Sequence, residues 1–323
     1  MRVLITGGTG FIGSCVAAVA AAHGHDVHLL ARHAVPHADR PLIVRDLALA
    51  SGLADALGGF DAVVHCAGTL DGSAGEQRTT TVDGTRNLVA AMSQASVRRI
   101  VLVSTFAVYD YLALEPGDLL TEDLPLDRDG GARGPYVAAK REQEMIVRGG
   151  PGLDWTILRP GLVFGPGRTW FYDLGARLHR VWVTLGGTGT LPLTQVDNCS
   201  AAIVAALDEP GSVGATINVV DNDLPTRSRY VEWLAAHETR RPLVMDVPWA
   251  LLSGASQGAW ILARRVLRDR VVPPGSLHPA VLAARCKPLR YDNSLARSVL
   301  AWAPRITIQD GVRLALEEPG AAD

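Results

Sequence analysis

Three glycines separate a short run of branched apolar residues from a helix-like stretch at the start of the chain. The run at residues 3–6 has the composition of a buried strand, and Gly7, Gly10 and Gly13 follow it at three-residue intervals. The first glycine permits the tight turn that ends the strand, the second lets the backbone approach a ligand, and the third lets the helix pack closely on the strand. The N-terminus of that helix offers free N–H groups to phosphates. The segment therefore predicts a dinucleotide-binding turn.

Strand-like and helix-like segments alternate over the first 160 residues. Runs of branched apolar residues predict strands at 3–6, 26–30, 42–44, 62–65, 100–104 and 155–158. Helical spacing of apolar residues predicts helices at 11–22, 52–57, 82–95 and 135–148. Because strands that alternate with helices form parallel sheets with right-handed crossovers, we predict an α/β fold with a doubly wound parallel Rossmann sheet.

The character of the sequence changes after Gly165. All seven tryptophans lie beyond residue 150, and proline and glycine become irregularly spaced. We interpret residues 1–165 as a dinucleotide-binding domain to which residues 196–220 return. Residues 166–195 and 221–323 are interpreted as a smaller C-terminal lobe that binds a substrate.

The bulk composition bears on partners and location. Of the 323 residues 48% are apolar and the net charge is −2, so we expect neither nucleic acid nor anionic lipid as a partner. The four cysteines lie far apart, which is typical of reduced thiols in a cytoplasmic protein. A strand pattern begins directly after Met1, so we expect no signal peptide. The histidines show no metal-ligand spacing, and we predict no metal.

One apolar segment, residues 249–267, raises the question of a membrane. Serine, glutamine and arginine interrupt it, and no run of about 18 apolar residues exists, so we expect no membrane span. The pattern allows a helix packed on the second lobe, a helix on a membrane surface, or a cap over a lipophilic pocket. We favour the packed helix and expect no peripheral membrane contact.

A tyrosine and a lysine stand four residues apart in a predicted helix. Only two lysines occur in the chain, and one of them, Lys140, follows Tyr136 at this spacing, which places both side chains on one helix face. Free tyrosine has a pKa of about 10 and is a poor base at neutral pH. A nearby ammonium group can lower that pKa by about 1–3 units. Because a carbonyl that receives a hydride needs a proton donor, we predict Tyr136 as a catalytic acid and base.

Several ordered motifs resemble the extended branch of the short-chain dehydrogenases/reductases. They are TGGTGFIG at 6–13, DAVVHCA at 61–67, GTRNL at 84–88, STFAVY at 104–109, YVAAK at 136–140, LRPGLVFGPG at 158–167 and LAWAPRITIQDG at 300–311. One departure is Thr81-Val82, where the family usually has Asn-Val. The role of that asparagine near the lysine is either lost or taken by the Thr81 hydroxyl.

The resemblance implies three catalytic residues and a set of cofactor contacts. Thr105 would hold the substrate oxygen, Tyr136 would transfer the proton, and Lys140 would also hold the nicotinamide ribose. The predicted cofactor contacts are Gly7, Thr9, Gly10, Phe11, Ile12, Gly13, Arg32, Asp46, Leu47, Cys66, Ala67, Gly68, Lys140, Pro160 and Val163. The predicted substrate contacts are Thr105, Phe106, Tyr136, Gly161, Arg168 and Trp170.

Three further expectations follow from the resemblance. The loop at residues 159–163, with Pro160 as a rigid turn, would follow the sixth strand and face the nicotinamide. His65 would be structural. Two copies would pair through the helices at 82–95 and 135–148 to form a homodimer.

The end of the second strand bears on the choice of dinucleotide. An NAD site needs a carboxylate there for the ribose 2′-OH, but the chain continues Ala31-Arg32-His33 without an acid. The Arg32 guanidinium suits a 2′-phosphate. We therefore predict NADP as the preferred cofactor and NAD as the alternative.

Two reactions on nucleotide sugars compete with simple hydride transfer. Dehydratases of this family usually carry an Asp-Glu pair after the catalytic threonine, and here Phe106-Ala107 stand instead, which disfavours that reaction. Epimerases hold a pyrophosphate with an arginine that residues 189–198 lack, although Arg168 or Arg177 could replace it. The epimerase therefore stays an alternative.

The favoured reaction is hydride transfer on an apolar substrate. The apolar residues 191–193 and the aromatic residues near Trp170 resemble the 3β-hydroxysteroid dehydrogenase and dihydroflavonol reductase branch. We predict an NAD(P)-dependent oxidoreductase that reduces a ketone or oxidises a secondary alcohol of small size. A non-catalytic NADP-binding sensor is the least favoured alternative, because such proteins typically lose the tyrosine–lysine pair.

Overall fold

The computed structural model describes residues 1–35, 39–127, 132–265 and 273–317. The strands are β1 Arg2–Thr6, β2 Asp26–Ala31, β3 Leu42–Val44, β4 Ala62–His65, β5 Arg99–Val103, β6 Leu119–Leu120, β7 Asp154–Pro160, β8 Leu162–Phe164, β9 Gly175–Leu178, β10 Val181–Leu185, β11 Leu193–Gln195, β12 Thr216–Val219, β13 Leu243–Val247 and β14 Arg290–Tyr291. The helices are α1 Phe11–Ala22, α2 Leu53–Leu57, α3 Ala74–Gln77, α4 Gly84–Gln94, α5 Pro135–Arg148, α6 Val196–Asp208, α7 Arg227–Ala236, α8 Trp249–Arg265, α9 Pro279–Cys286, α10 Ser294–Leu300 and α11 Ile308–Glu317.

Seven parallel strands form the central sheet, in the order β3-β2-β1-β4-β5-β7-β12. Helices α1 and α6 pack against one face with residues such as Val16 and Ile203, and α2, α4 and α5 cover the other with residues such as Leu53 and Leu88. Because both faces are covered, the strands are apolar on both sides. The predicted doubly wound Rossmann sheet is confirmed.

The strand order reverses between β1 and β4, which are neighbours at the centre of the sheet. In doubly wound sheets, ligands bind at the carboxyl ends of the strands beside such a reversal. The turn after β1, the segment after β4 and the segment after β5 all begin at this edge. The fold thus brings the predicted glycine turn and Thr105 to the same side of the sheet.

The sixth predicted strand is longer than the sequence indicates. Strand β7 continues to Pro160, which pairs with Val219 of β12, and the Gly161 N–H donates to the Val219 carbonyl at 3.1 Å. The expected loop at residues 159–163 is therefore wrong in part, because Arg159 and Pro160 end a strand and β8 begins at Leu162. Pairing with a strand distant in sequence produces this extension.

The second half of the chain adds a smaller layer beside the sheet. Strands β9, β10 and β13 form a three-stranded sheet, and α7 and α11 share a core with it. Helix α6 and strand β12 return to the large sheet. Helix α8 packs on α9 and covers residues 249–265, so Val266 and Leu267 of the predicted apolar segment lie outside the described residues. Within the part of the chain that the structure describes, no helix is long and apolar enough to cross a bilayer.

Candidate active site

The glycine turn adopts a backbone that side chains would obstruct. Gly7 has a φ of +68°, and a Cβ there would lie 2.7 Å from the Ala67 nitrogen. A Cβ on Gly13 would lie 2.2 Å from the Gly7 carbonyl oxygen, so the start of α1 can approach the turn only without one. The Gly10 N–H closes the turn onto the Gly7 carbonyl at 3.0 Å.

The same turn leaves room for a phosphate. Gly10 caps α1 without a side chain, and Thr9 and Gly10 are exposed, while Phe11 and Ile12 are half-buried. The first N–H groups of α1 and its positive dipole end thus face open space at the carboxyl edge of the sheet. These features fit the pyrophosphate of a dinucleotide, which Gly7, Gly10 and Gly13 would hold.

The residues predicted to surround an adenosine lie beyond β2 and β3. Arg32 follows β2 directly and is exposed, and residues 31–35 contain no acid. After β3, the Asp46 carboxylate accepts the Ala48 N–H at 2.9 Å, and Leu47 is buried with its carbonyl accepting the Asn87 side chain at 2.9 Å. Asp46 therefore stabilises a turn that places Leu47 against α4.

A buried chain of polar groups lies beneath the segment that follows β4. His65 Nδ1 lies 2.6 Å from the Thr6 hydroxyl, and its Nε2 lies 2.9 Å from the Thr85 hydroxyl. Burial, together with the charge of Lys140, lowers the pKa of His65 to about 3, so the ring is neutral at pH 7. Both ring nitrogens are occupied, which fits the structural role expected of His65. Burial also raises the pKa of the Cys66 thiol to about 12.

Thr105, Tyr136 and Lys140 converge at the end of β5. Thr105 lies just past the strand, and its Oγ1 accepts the Ala107 N–H at 3.1 Å. Burial raises the pKa of the Tyr136 phenol, and a hydrogen bond with the Thr105 side chain opposes this rise. Pro135 begins α5, so Tyr136 lies in its first turn and Lys140 one turn further on.

Lys140 is buried, and its ammonium group loses its proton at a lower pH than that of a free lysine. Its Nζ donates to the Val103 carbonyl at 2.8 Å and to the side-chain oxygen of Gln143. Burial lowers the pKa of Lys140 to about 8, although the charge of Glu144 opposes this effect. A Cβ on Gly68 would lie 3.8 Å from Nζ, so the lysine reaches the segment after β4.

Gln143 and Glu144 complete this site and were not identified from the sequence. The Gln143 amide nitrogen lies 2.9 Å from the Thr85 hydroxyl and 3.1 Å from His65 Nε2, while its oxygen faces Lys140. Because an ammonium group has only donors, the lysine fixes which end of the amide points toward it. The helical spacing from Lys140 to positions 143, 144 and 147 could have indicated this buried face of α5.

For Thr81, the resemblance left two alternatives: the role of the family's asparagine is lost, or the Thr81 hydroxyl takes it. The hydroxyl donates to the Gln77 side-chain oxygen at 3.3 Å, and a Cβ on Gly68 would lie 3.9 Å from it. The amide oxygen that accepts from Lys140 belongs to Gln143.

Glu144, the residue after Gln143 on the buried face of α5, forms a buried ion pair with Arg159. Two guanidinium nitrogens of Arg159 lie 2.9 Å and 2.6 Å from the two oxygens of Glu144, and the Ser104 hydroxyl donates to the same carboxylate at 2.5 Å. Despite burial, hydrogen bonds from Arg159 and its charge hold the pKa of Glu144 below its usual value. The pair fixes α5 to β5 and β7, and thereby fixes the backbone on which Tyr136 and Lys140 stand.

Some of the predicted substrate contacts lie beside Thr105, and Trp170 lies in the smaller layer. Phe106 is 4% exposed and stacks on Tyr291 with ring centroids 5.9 Å apart. Trp170 packs edge-on against Trp182 at 5.2 Å in the core of the smaller layer. A Cβ on Gly161 would lie 2.1 Å from the Pro192 carbonyl oxygen, so packing of the chain already requires a glycine there.

Two arginines were considered as ligands for a second pyrophosphate. Arg177 lies over the rings of Trp170 and Trp182, at 4.3 Å and 4.5 Å from their centroids. The guanidinium carbon of Arg168 lies 5.1 Å from the centroid of the Phe11 ring, at the beginning of α1. Both arginines are exposed, but Arg168 lies beside the glycine turn, whereas Arg177 lies over the two indoles of the smaller layer.

The sequence matches a known family over most of its length. The family described as the NAD dependent epimerase/dehydratase family matches residues 3–219. The chain is 28% identical to a 2-alkyl-3-oxoalkanoate reductase of Stenotrophomonas maltophilia, over 97% of this chain and 98% of the relative. It is 26% identical to a 4-hydroxy-2-methyl-3-oxo-4-farnesyl-3,4-dihydroquinoline-1-oxide ketoreductase of Stigmatella aurantiaca, over 100% of this chain and 97% of the relative.

Solved structures share the fold. A UDP-glucuronic acid 4-epimerase from Bacillus cereus in complex with NAD superposes with a TM-score of 0.73 at 19% identity, over 99% of this chain and all of the other. The family match, the reductase relatives and the glycine turn beside a seven-stranded parallel sheet agree with one another. The chain belongs to the NAD dependent epimerase/dehydratase family, within the extended short-chain dehydrogenases/reductases.

Proposed function

We propose that this chain is an NADP-dependent reductase of an apolar ketone, which in the reverse direction oxidises a secondary alcohol. The observation that carries the proposal is the convergence of Thr105, Tyr136 and Lys140 beside the glycine turn. The two full-length relatives named as reductases support this reaction class.

The chemistry follows from the groups present. When bound, the reduced nicotinamide supplies a hydride to the carbonyl carbon. The Tyr136 phenol gives its proton to the carbonyl oxygen, and the Thr105 hydroxyl holds the same oxygen. The Thr105 oxygen already accepts the Ala107 N–H, so its own O–H is oriented away from the backbone. We assign to the Lys140 ammonium the stabilisation of the phenolate that forms. In the structure, the hydrogen bond with the Thr105 side chain opposes the rise that burial causes in the pKa of Tyr136.

Arg32 supports NADP over NAD. It is exposed at the end of β2, and residues 31–35 offer no carboxylate to a ribose 2′-OH. Replacement of Arg32 by serine should weaken NADPH binding by about tenfold or more and leave NADH binding within about twofold, since only the former carries a 2′-phosphate. Arg98→Ser is the matched control, because Arg98 lies at the opposite edge of the sheet and pairs with Asp154.

A nucleotide-sugar epimerase is the second candidate, and the exposed Arg168 favours it. Its guanidinium stands beside the start of α1 and could bind a diphosphate. Epimerisation returns the hydride to the substrate, so the two reactions differ in their net consumption of cofactor.

A panel of lipophilic ketones, β-keto acids and nucleotide sugars tests the proposal. The ketones and keto acids are incubated with the purified chain and NADPH, and the nucleotide sugars with the chain and NADP⁺ or NAD⁺, because epimerisation begins with hydride transfer to the oxidised cofactor. We expect ketone-dependent loss of reduced-nicotinamide absorbance with formation of the secondary alcohol. Conversion of a nucleotide sugar to its epimer without net absorbance change would replace the proposal by the epimerase. Retention of all substrates despite saturating cofactor binding would contradict both.

A further inference from the structure

Helix α8 presents its apolar side chains outward. Leu251, Ile261 and Leu262 are 65%, 55% and 50% exposed. The other residues on that side are exposed as well, and together these positions form what we call the outward face of α8, namely Leu251, Gly254, Ala255, Gly258, Ile261 and Leu262. At 100° per residue they fall within about one third of the helix circumference. Among the residues that the structure describes, no atom lies within 4 Å of a Cβ built on Gly254 or Gly258, so none of them covers this side of the helix.

Hydrogen bonds hold the inward face of the same helix. Ser256 is 2% exposed, and its hydroxyl donates to the Leu277 carbonyl at 2.7 Å. The Trp260 indole N–H donates to the same carbonyl at 3.2 Å, and its ring packs edge-on against His278 at 4.6 Å. A surface helix normally turns its large aliphatic residues toward the core. The orientation of α8 is therefore fixed by the contacts of Ser256 and Trp260, and its outward aliphatic residues are left outside the core.

The charged residues of α8 indicate which kind of partner its outward face can bind. Residues 249–265 contain no acid, and the helix ends in Arg264 and Arg265, which are both exposed. Arg265 lies on the same side as Leu251 and Leu262. If a second copy packed the same face against this one, neither helix would offer an acid to pair with Arg264 or Arg265. An anionic bilayer supplies both an apolar layer for the leucines and negative charge for the arginines.

We propose that the outward face of α8 binds the surface of an anionic lipid bilayer, with Leu251, Ile261 and Leu262 entering the interface and Arg264 and Arg265 lying among the headgroups. This differs from the expectation of no membrane contact, because the sequence alone does not show which side of the helix is outside. The contact is peripheral and reversible, since three aliphatic side chains bury little surface. It does not depend on the proposed reaction.

Sedimentation of the full chain with lipid vesicles tests the proposal. Vesicles of phosphatidylcholine with about 30% phosphatidylglycerol are compared with vesicles of phosphatidylcholine alone. We expect the partition coefficient of the wild type to be about tenfold higher on the anionic vesicles and to fall as salt is added. Leu251→Glu and Ile261→Glu should each lower it by about tenfold or more, because a carboxylate is repelled by the headgroups and disfavoured in the apolar layer.

Leu49→Glu is the matched control, because Leu49 is as exposed as Leu251, at 65%, but lies in the segment between β3 and α2 at the large sheet. It should leave partitioning within about twofold of the wild type. An Arg264→Ser/Arg265→Ser variant tests the charge separately and should reduce binding to anionic vesicles only. The proposal is overturned if the wild type does not sediment with anionic vesicles, or if Leu49→Glu weakens binding as much as Leu251→Glu. It is also overturned if Leu251→Glu leaves lipid binding intact but dissociates an oligomer, which would make this face a subunit contact.

Discussion

Helices α5 and α8 place polar and apolar groups in opposite ways. Helix α5 buries a lysine, a glutamine and a glutamate against the sheet, at exposures of 5% or less, while α8 exposes leucine and isoleucine to the outside. Each of these three buried side chains on α5 has hydrogen-bond partners, so the unfavourable burial of polar and charged groups is offset by contacts that the site needs. The exposed apolar groups of α8 have no such compensation within the fold. We attribute the buried polar groups of α5 to the reaction at the site, and the exposed apolar groups of α8 to the partner proposed above.

The largest effect is expected for the ion pair under α5. Arg159→Met leaves the buried Glu144 carboxylate with only the longer contact to Arg148, at 3.5 Å, so the free energy of unfolding should fall by about 3 kcal/mol. Chemical denaturation measures it. The double variant Arg159→Met/Glu144→Leu should recover a substantial part of the loss, because no charge is then left unpaired. If the single variant were as stable as the wild type, the pair would not hold α5 in place.

The buried ammonium group should make stability depend on pH. The folded-state pKa of Lys140, about 8, lies below that of an unfolded lysine, so the unfolded state binds more protons between these values. The wild type should therefore gain stability relative to Lys140→Met as pH rises from 7 to 10, by about 2 kcal/mol. Parallel denaturation of both proteins without cofactor measures the difference. A difference that is constant with pH would show that Lys140 is not destabilised by its charge.

Gln143 should set the acidity of Lys140 in the working enzyme. Its amide oxygen accepts a hydrogen bond from the ammonium, so Gln143→Leu should lower the lysine pKa and Gln143→Glu should raise it. The alkaline limb of the kcat/KM profile should move by about one pH unit in each direction, which is about 1.4 kcal/mol. A role in packing alone would reduce the rate in both variants without moving the limb.

The smallest effect is expected on the outside of α8. Leu251→Ala should change the free energy of unfolding by less than about 0.5 kcal/mol, because little surface is buried in the isolated chain. Leu282→Ala, in the adjacent α9 at 3% exposure, should cost about 2–5 kcal/mol. Thermal or chemical unfolding of the two variants compares them directly. Similar losses at both positions would mean that Leu251 is packed against the protein after all.

Local patterns were sufficient to predict the sheet and the glycine turn. The turn at Gly7–Gly13 depends on backbone conformation and close approach, which glycine spacing encodes directly. Strand β7 was predicted too short because its last residues are held by β12, some 60 residues later in the chain. Such pairing has no local signature when it ends in Arg159-Pro160.

Residues of the candidate site could be predicted from the sequence only where they lie on the same helix or strand. Tyr136 and Lys140 share a helix and a spacing, so the sequence indicated both. Gln143 contacts His65 and Thr85, which belong to other elements, and no sequence motif predicts those contacts. Helix α8 shows the same limit, since small and apolar residues occur on both of its sides and only the contacts of Ser256 and Trp260 with Leu277 decide which one faces inward.

The central claim is that Tyr136 transfers the proton while the cofactor is held by other groups. The most direct measurement is Tyr136→Phe, with NADPH affinity determined by fluorescence titration and turnover determined on a ketone that the wild type reduces. We expect turnover to fall by about 10²–10⁴-fold while the dissociation constant of NADPH stays within about threefold. Wild-type turnover in this variant, with the same cofactor affinity, would contradict the account.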